Sequence, residues 1–278
     1  MFVLLYFHLV AACSYVVCQQ PPGYMRDQYD TTHTSTFGIF HNLPEIFNVL
    51  QDVPELMDIP QVQELHEKMK NNQLVQWPRE TAEGTPDRRP FIVIEGIKGS
   101  GKSATARLFT QKLNGTYLRS PPDYLASIRG LMSMKPRLVR SAYHSLNNYL
   151  MAELVKSIVK TRLVVMDQYW HGLTAFALAK LAGIRQNLPI PGSPIYNFPT
   201  DLLVPDLSFY IAANDERRLF KLPDTGKPAT SRIFRESTYE AYSLMDLPKM
   251  IAINGDRARE DVESEMVQIA RERLQGFL

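Results

Sequence analysis

The octapeptide Gly96-Ile97-Lys98-Gly99-Ser100-Gly101-Lys102-Ser103 fits the spacing G-x-x-x-x-G-K-[ST] at every fixed position. Gly96, Gly99 and Gly101 free the backbone for turns that a Cβ forbids, so successive N–H groups converge on one anion. A helix opening near Lys102 adds the partial positive charge of its first turn. Lys102 reaches the outer phosphates of a nucleoside triphosphate such as ATP, and Ser103 offers its hydroxyl to Mg²⁺. Gly96, Gly99, Ser100, Gly101, Lys102 and Ser103 are therefore the candidate ATP-binding set. The flanks agree: Phe91-Ile92-Val93-Ile94 is an apolar strand directly upstream, and residues 102–113 carry a helical pattern. Strand, glycine-rich loop and helix in that order separate a phosphate-binding loop from a chance run of glycines.

Downstream, apolar strands alternate with helical patterns. This predicts an α/β protein with the P-loop NTPase fold, a mainly parallel sheet with helices on both faces. Residues 116–118 form a short strand. Residues 136–160 form a long helix with an apolar stripe through Val139, Tyr143, Leu146, Leu150, Leu154 and Ile158. Further buried strands are predicted over 163–166, 207–211 and 250–253, and a closing helix over 257–274. The 163–166 strand ends at Asp167. Ligands of open parallel sheets collect beyond the carboxyl ends of the strands, so Asp167 is a candidate Mg²⁺ ligand, directly or through waters. A helix N-cap or turn aspartate occupies the same kind of position.

Upstream of the strand the composition changes twice. Residues 43–73 predict two short amphipathic helices, over 44–50 and 60–69, the second with Val62, Leu65 and Met69 on one face. Residues 80–89 hold Gly84, Pro86 and charges of both signs, which marks a boundary. The expected organisation is a signal-peptide-like segment over 1–18, a linker and short helical extension over 19–89, and the P-loop domain over 90–278. Residues 2–18 contain no charge and suit the apolar region of a secretory signal, or a membrane anchor. The first arginine is Arg26, against an Arg-rich transit peptide, so the expected location is the secretory pathway or outside the cell. Both cysteines, Cys13 and Cys18, lie in this segment, so the rest of the chain holds no disulfide, no cysteine-ligated metal and no cysteine nucleophile. A formal net charge of +2 over 278 residues, with no basic tract, gives no argument for a nucleic-acid partner.

Several further stretches are distinctive: Pro90-Phe91-Ile92-Val93-Ile94-Glu95-Gly96, Ser120-Pro121-Pro122, Ser145-Leu146-Asn147-Asn148-Tyr149, Val165-Met166-Asp167-Gln168-Tyr169-Trp170-His171, and Pro199-Thr200-Asp201-Leu202-Leu203-Val204-Pro205-Asp206-Leu207. On these residues the chain resembles the thymidylate kinase family, and within it the branch of mitochondrial UMP–CMP kinases of the thymidylate-kinase-like type. The segment ending at Trp77-Pro78 resembles that branch's N-terminal extension. The resemblance implies ATP-dependent phosphorylation of a pyrimidine nucleoside monophosphate (dTMP, UMP, CMP or dCMP) with Mg²⁺, by positioning and charge neutralisation. It implies that residues 96–103 hold the donor phosphates and that Asp167 belongs to the family's Asp-Arg-Tyr element. It also implies that Arg129 faces the acceptor monophosphate and that Asn148, Tyr149, Gln168 and Tyr169 line its pocket. Without the resemblance, Arg129 reads as a solvated helix arginine and the two tyrosines as packed core aromatics. A homodimer through the 136–160 helix and a mitochondrial location are further implications, although the helix pattern fits an internal helix equally well.

Three departures from the family pattern bear on activity. Lys98 stands where the family has an acidic residue, and Gln168 replaces the arginine of Asp-Arg-Tyr, which removes a full charge and a bidentate donor. The lid between Arg217 and Arg235 is short and turn-rich, with Lys221, Lys227, Arg232 and Arg235 near it as sources of charge. Lys98 is a candidate compensating cation beside Lys102 and Arg129. The leading expectation is an active nucleoside monophosphate kinase. The alternatives are a catalytically weakened relative acting as a nucleotide-binding or regulatory module, and a P-loop enzyme with another acceptor.

Overall fold

Phe91–Gly96 is apolar except at Glu95, as a strand covered on both faces must be, and it forms the central strand β1. A computed structural model describes residues 35, 37–74, 88–182, 187–214 and 232–276. Around β1 the strands β2 (Thr116–Arg119), β3 (Val164–Asp167), β4 (Leu207–Ala212) and β5 (Ile251–Asn254) make one sheet in the order β2-β3-β1-β4-β5. Every pair is parallel, with Ile94 beside Asp167 on one side and beside Phe209 on the other. This is a P-loop NTPase α/β fold, as the alternation of strands and helices predicts. Because β1 has later strands on both sides, a crevice opens beyond its carboxyl end, where the glycine-rich loop begins.

The two faces of the sheet have different covers. Ile92 and Ile94 face α4 (Lys102–Lys112) and the last helix, α9 (Arg259–Arg273), in a core with Phe109, Phe209 and Met266. Phe91 and Val93 point the other way, toward α6 (Arg137–Ile158), α7 (Trp170–Ala182) and the amino-terminal helices. Those helices are α1 (Leu43–Leu50), α2 (Pro54–Met57) and α3 (Pro60–Lys70), each opening with proline in its first turn, where the missing N–H costs nothing. Asn42 caps α1 by accepting from the Glu45 N–H at 2.9 Å. Leu43, Ile46, Phe47 and Leu50 bury one face of α1, and α1 packs chiefly on α6. Val62 and Leu65 of α3 are buried with Met69 against the same core, so the extension and the P-loop portion share one apolar interior.

One expectation about α6 needs correction. Leu154 is 39 % exposed, and burial continues instead through Ala152, Val155 and Val159. Residues 145–152 are all buried, because α6 is enclosed between the sheet and the extension rather than resting one stripe on the sheet. Three helices were not foreseen, the four-residue α2 and two longer ones. α7 reads WHGLTAFALAKLA, apolar on nearly every side, so it has no amphipathic period to detect. α8 (Arg232–Ser243) does carry a polar and an apolar face, but it follows the segment expected as a lid. Among the described residues no helix is long and apolar enough to cross a membrane. The signal-like segment, all but the last two residues of the expected boundary at 80–89, and the lid lysines Lys221 and Lys227 lie outside the described residues.

Candidate active site

Tight turning of the chain after β1 builds the phosphate loop. Gly96, Gly99 and Gly101 all have positive φ, at 152°, 90° and 86°. At Gly96 a Cβ would stand 2.7 Å from the Ser100 hydroxyl and 3.1 Å from the Ile211 carbonyl oxygen, so no larger residue fits. α4 opens at Lys102 directly behind the loop. A cavity of about 520 Å³ lies over it, lined by Lys98, Lys102, Ser103, Arg119, Gln168 and Tyr242 among others. Gly96, Gly99 and Gly101 line it too, but Ser100 does not: its side chain is buried and its N–H donates to the Ile97 carbonyl at 3.2 Å.

Asp167 ends β3 at the floor of this region and is 1 % exposed. Its carboxylate pairs with the Lys102 ammonium, and Oδ2 accepts from the Tyr117 hydroxyl at 2.8 Å. Burial pushes the Asp167 pKa upward, but the Lys102 charge and hydrogen bonds from Lys102, Ser103 and Tyr117 outweigh it, holding the carboxyl below its usual value. An ionised carboxylate beside the Ser103 hydroxyl offers two hard oxygen donors at the mouth of a phosphate loop, a set that suits Mg²⁺ completed by waters and phosphate oxygens. Among the described residues no cluster of three or more metal-ligating acids, histidines or cysteines exists.

Glu95, next to the loop, lies wholly buried beneath the site. Its Oε1 accepts from the Tyr169 N–H at 2.8 Å and the Gly172 N–H at 2.9 Å, which fastens the first turn of α7 to the end of β1. Burial raises its pKa to about 8 against the pull of Lys102, so it is protonated at neutral pH. Gly172 is obligatory there, since a Cβ would stand 2.3 Å from Glu95 Oε2.

A second cavity of about 400 Å³ adjoins the first, lined by Ser120, Pro121, His144, Asn148, Arg140 and Lys180 among others. Gln168 and Phe176 line both cavities and therefore mark their junction. Gln168 is exposed into them and held at φ 77°, a conformation rare for a long side chain and concentrated at functional sites. The second cavity is basic: Arg137, Arg140 and Lys180 line it, and among the described residues no carboxylate does. Partial burial, then the fields of Arg140 and Arg129, hold the His144 pKa below its ordinary value.

The structure places the other expected residues less uniformly. Asn148 lines the second cavity, and Lys98 stands exposed on the first. Arg129 begins the short helix α5 (Arg129–Met134) and is exposed, near His144 but outside the cavity lining. Tyr149 and Tyr169 line neither cavity, a correction to the acceptor set. The Tyr149 hydroxyl donates to Asp201 Oδ1 at 2.6 Å. Tyr169 is wholly buried, donating to the Leu203 carbonyl at 3.0 Å and packing edge-on to Phe91. Each hydroxyl thus spends its hydrogen bond inside the core. The remaining lid arginines are also elsewhere: Arg232 pairs with Glu236 at 2.7 Å, and Arg235 is 4 % exposed against a cavity with Tyr210 and Tyr239. Sequence reasoning missed Arg119, which alternation places on the same face of β2 as Tyr117, one step nearer the loop. It also missed Arg137, Arg140 and Lys180, ordinary helix cations until the tertiary structure gathers them.

These features define a P-loop nucleotide-binding α/β protein. No family model matches the chain. It is 30% identical over 180 residues to the mitochondrial UMP-CMP kinase 2 of Homo sapiens, a match covering 62% of this chain and 40% of that protein. It is 27% identical over 202 residues to a thymidylate kinase of Mycoplasma genitalium, over 65% of this chain and 94% of that one. A solved thymidylate kinase of Candida albicans shares the fold, with a TM-score of 0.50 at 17% identity over 66% of this chain and 92% of that structure. In sequence the chain is similar to these kinases at modest identity, and it shares the fold of the solved thymidylate kinase. The chain spans about two fifths of the human relative's length.

Proposed function

We propose that this protein is a nucleoside monophosphate kinase that passes the γ-phosphoryl group of ATP to a pyrimidine nucleoside monophosphate. The observation that carries the reading is the pair of cavities meeting at Gln168 and Phe176, one over the phosphate loop and one basic and polar beside it. Two sites in contact at one edge of the sheet are what in-line transfer between two bound nucleotides requires. The names of the relatives point the same way. Ser103 and Asp167 would hold Mg²⁺, which when bound neutralises charge on the donor phosphates. Lys102, now paired with Asp167, exchanges that partner for donor phosphate oxygens. Lys98 and Arg119 add positive charge around the moving group. Arg140, Arg137 and Lys180 attract the acceptor, with Arg129 near the entrance.

A coupled assay of the full chain with Mg-ATP and each of dTMP, UMP, CMP and dCMP tests this. Turnover on one or more acceptors, lost in Lys102→Ala, is expected; no turnover on any acceptor overturns it.

A second reading, a nucleotide-binding module with weakened chemistry, draws on one observation: the residue at the junction of the cavities is the neutral Gln168. Gln168→Arg separates the two. A rise in kcat of about tenfold or more favours the weakened module, and no rise means that the surrounding cations already suffice. No nucleic-acid partner is proposed. A homodimer through α6 is not favoured, since residues 145–152 are buried within the chain. Of the two locations, the human relative's name favours the mitochondrion, and the comparisons give the secretory expectation no support.

A further inference from the structure

The second cavity is not made by the P-loop portion alone. Phe37 and Gly38, from the amino-terminal extension, are part of its lining. Neither lines the phosphate-loop cavity, whereas Gln168 and Phe176 line both, so the extension stands at the end remote from the donor phosphates. His144 and Asn148 are likewise exclusive to the second cavity. An acceptor with its phosphate at Gln168 therefore directs its base toward Phe37, His144 and Asn148.

The segment carrying Phe37 is held in place by specific contacts. Gly38 has φ 81° and lies against α6, where a Cβ would stand 2.6 Å from the Ser141 hydroxyl. Its N–H donates to the Ser35 carbonyl at 2.8 Å. Ile39 and Phe40 are buried, and the Phe40 carbonyl accepts from the Trp170 indole N–H at 3.0 Å. Trp170 opens α7 two residues after Gln168, so the extension is tied to the element that also positions the junction. His41 Nε2 lies 3.2 Å from the Ile195 carbonyl oxygen, and the Leu43 N–H donates to Asp201 at 2.7 Å.

We propose that Phe37 and Gly38 form the outer wall of the acceptor site, and that Phe37 is a specificity-determining residue that selects the nucleobase. This rests on the kinase reading for its ligand. A flat aromatic side chain on a cavity that also presents the His144 imidazole and the Asn148 amide gives a base an apolar face to lie on and polar partners for its edge.

The test is equilibrium titration of UMP, CMP, dTMP and GMP, and separately of ATP, into the full chain and into Phe37→Ala, Phe37→Leu and Gly38→Ala. Phe37→Ala is expected to weaken pyrimidine monophosphate binding about tenfold and to narrow the preference between pyrimidine and purine, with ATP affinity unchanged. Phe37→Leu, which keeps bulk without the plane, should fall between, and Gly38→Ala should displace the wall and follow Phe37→Ala. Monophosphate affinities and preferences unchanged in all three variants overturn the proposal and leave the kinase reading intact. A full chain that binds ATP but none of the four monophosphates overturns both.

Discussion

At the amino edge of the sheet a cavity of about 480 Å³ is lined by Arg89, Lys112, Arg162 and Arg271; at the carboxyl edge the phosphate-loop cavity, about 520 Å³, is lined by Lys98, Lys102 and Arg119. By its number of cations the first looks the stronger anion site until the helices are considered. Strands and helices alternate in direction, so α4, α6 and α9 all end at the amino edge. Lys112 and Arg271 sit in last turns, and the Arg89 N–H donates to the Val159 carbonyl at the end of α6 at 2.6 Å. Unsatisfied carbonyls at helix carboxyl ends carry partial negative charge, which those cations meet. At the carboxyl edge α4 and α7 begin, so positive side chains face positive helix ends and only Asp167 answers them. Basic residues mark an anion site where the backbone adds to their field and not where it cancels it.

This contrast can be broken by mutation. The largest effect is expected at the amino edge and on stability alone. Arg88 and Asp206 form a bidentate pair at 2.7 and 2.9 Å, both nearly inaccessible, and Asp206 also accepts from the Phe91 N–H at 2.7 Å. Asp206→Ala strands a buried guanidinium and should cost about 3–5 kcal/mol in denaturant unfolding, without a specific loss of ATP affinity in the folded fraction. Lys102→Ala should do the reverse, lowering kcat by about a hundredfold to a thousandfold while leaving the unfolding midpoint nearly unchanged. If Lys102→Ala destabilises as Asp206→Ala does, its pair with Asp167 is structural and the distinction between the edges fails.

Glu95 sharpens the comparison through pH. Burial raises its folded pKa to about 8 from an ordinary value of 4.5, so the folded state holds a proton that the unfolded state releases. Its contribution to stability is then full below the unfolded value and is lost as pH rises toward 8. Glu95→Gln should flatten the fall in stability over that window, measured by thermal unfolding at successive pH values; an unchanged profile would mean that the buried carboxyl is already ionised. The smallest effect belongs to the amino-edge cavity. The double variant Lys112→Gln, Arg271→Gln should cost a few tenths of a kcal/mol per site, about the helix-end term, and leave ATP affinity alone. A loss of ATP affinity there would make the amino edge a second nucleotide site.

The glycine-rich loop, its strand and its helix were legible because their constraints are local. Positive φ and close backbone approach at Gly96 admit one residue type, and an apolar strand before an amphipathic helix leaves a periodic trace. Asp167 was legible from its place at a strand end. α7 was not, since it is buried nearly all round and has no polar face to give it away. Tyr149 and Tyr169 resemble pocket residues in a linear reading and prove to be core, because only the tertiary structure supplies Asp201 and the Leu203 carbonyl as partners. The cations of the second cavity were hidden for the same reason, coming from separate turns of α6 and α7.

What the amino-acid sequence determined by itself is the class of chemistry: a P-loop set between strand and helix, with an acid at the end of a neighbouring strand. Those features depend on residues close in the chain, where backbone sterics and hydrogen bonding act directly. What only the tertiary structure decided is which basic cluster stands over the phosphate loop, which aspartates hold the scaffold, and that the amino-terminal extension reaches the second cavity through Phe37 and Gly38. Each of these depends on contacts between residues far apart in the chain, whose energies exist only once the chain has folded.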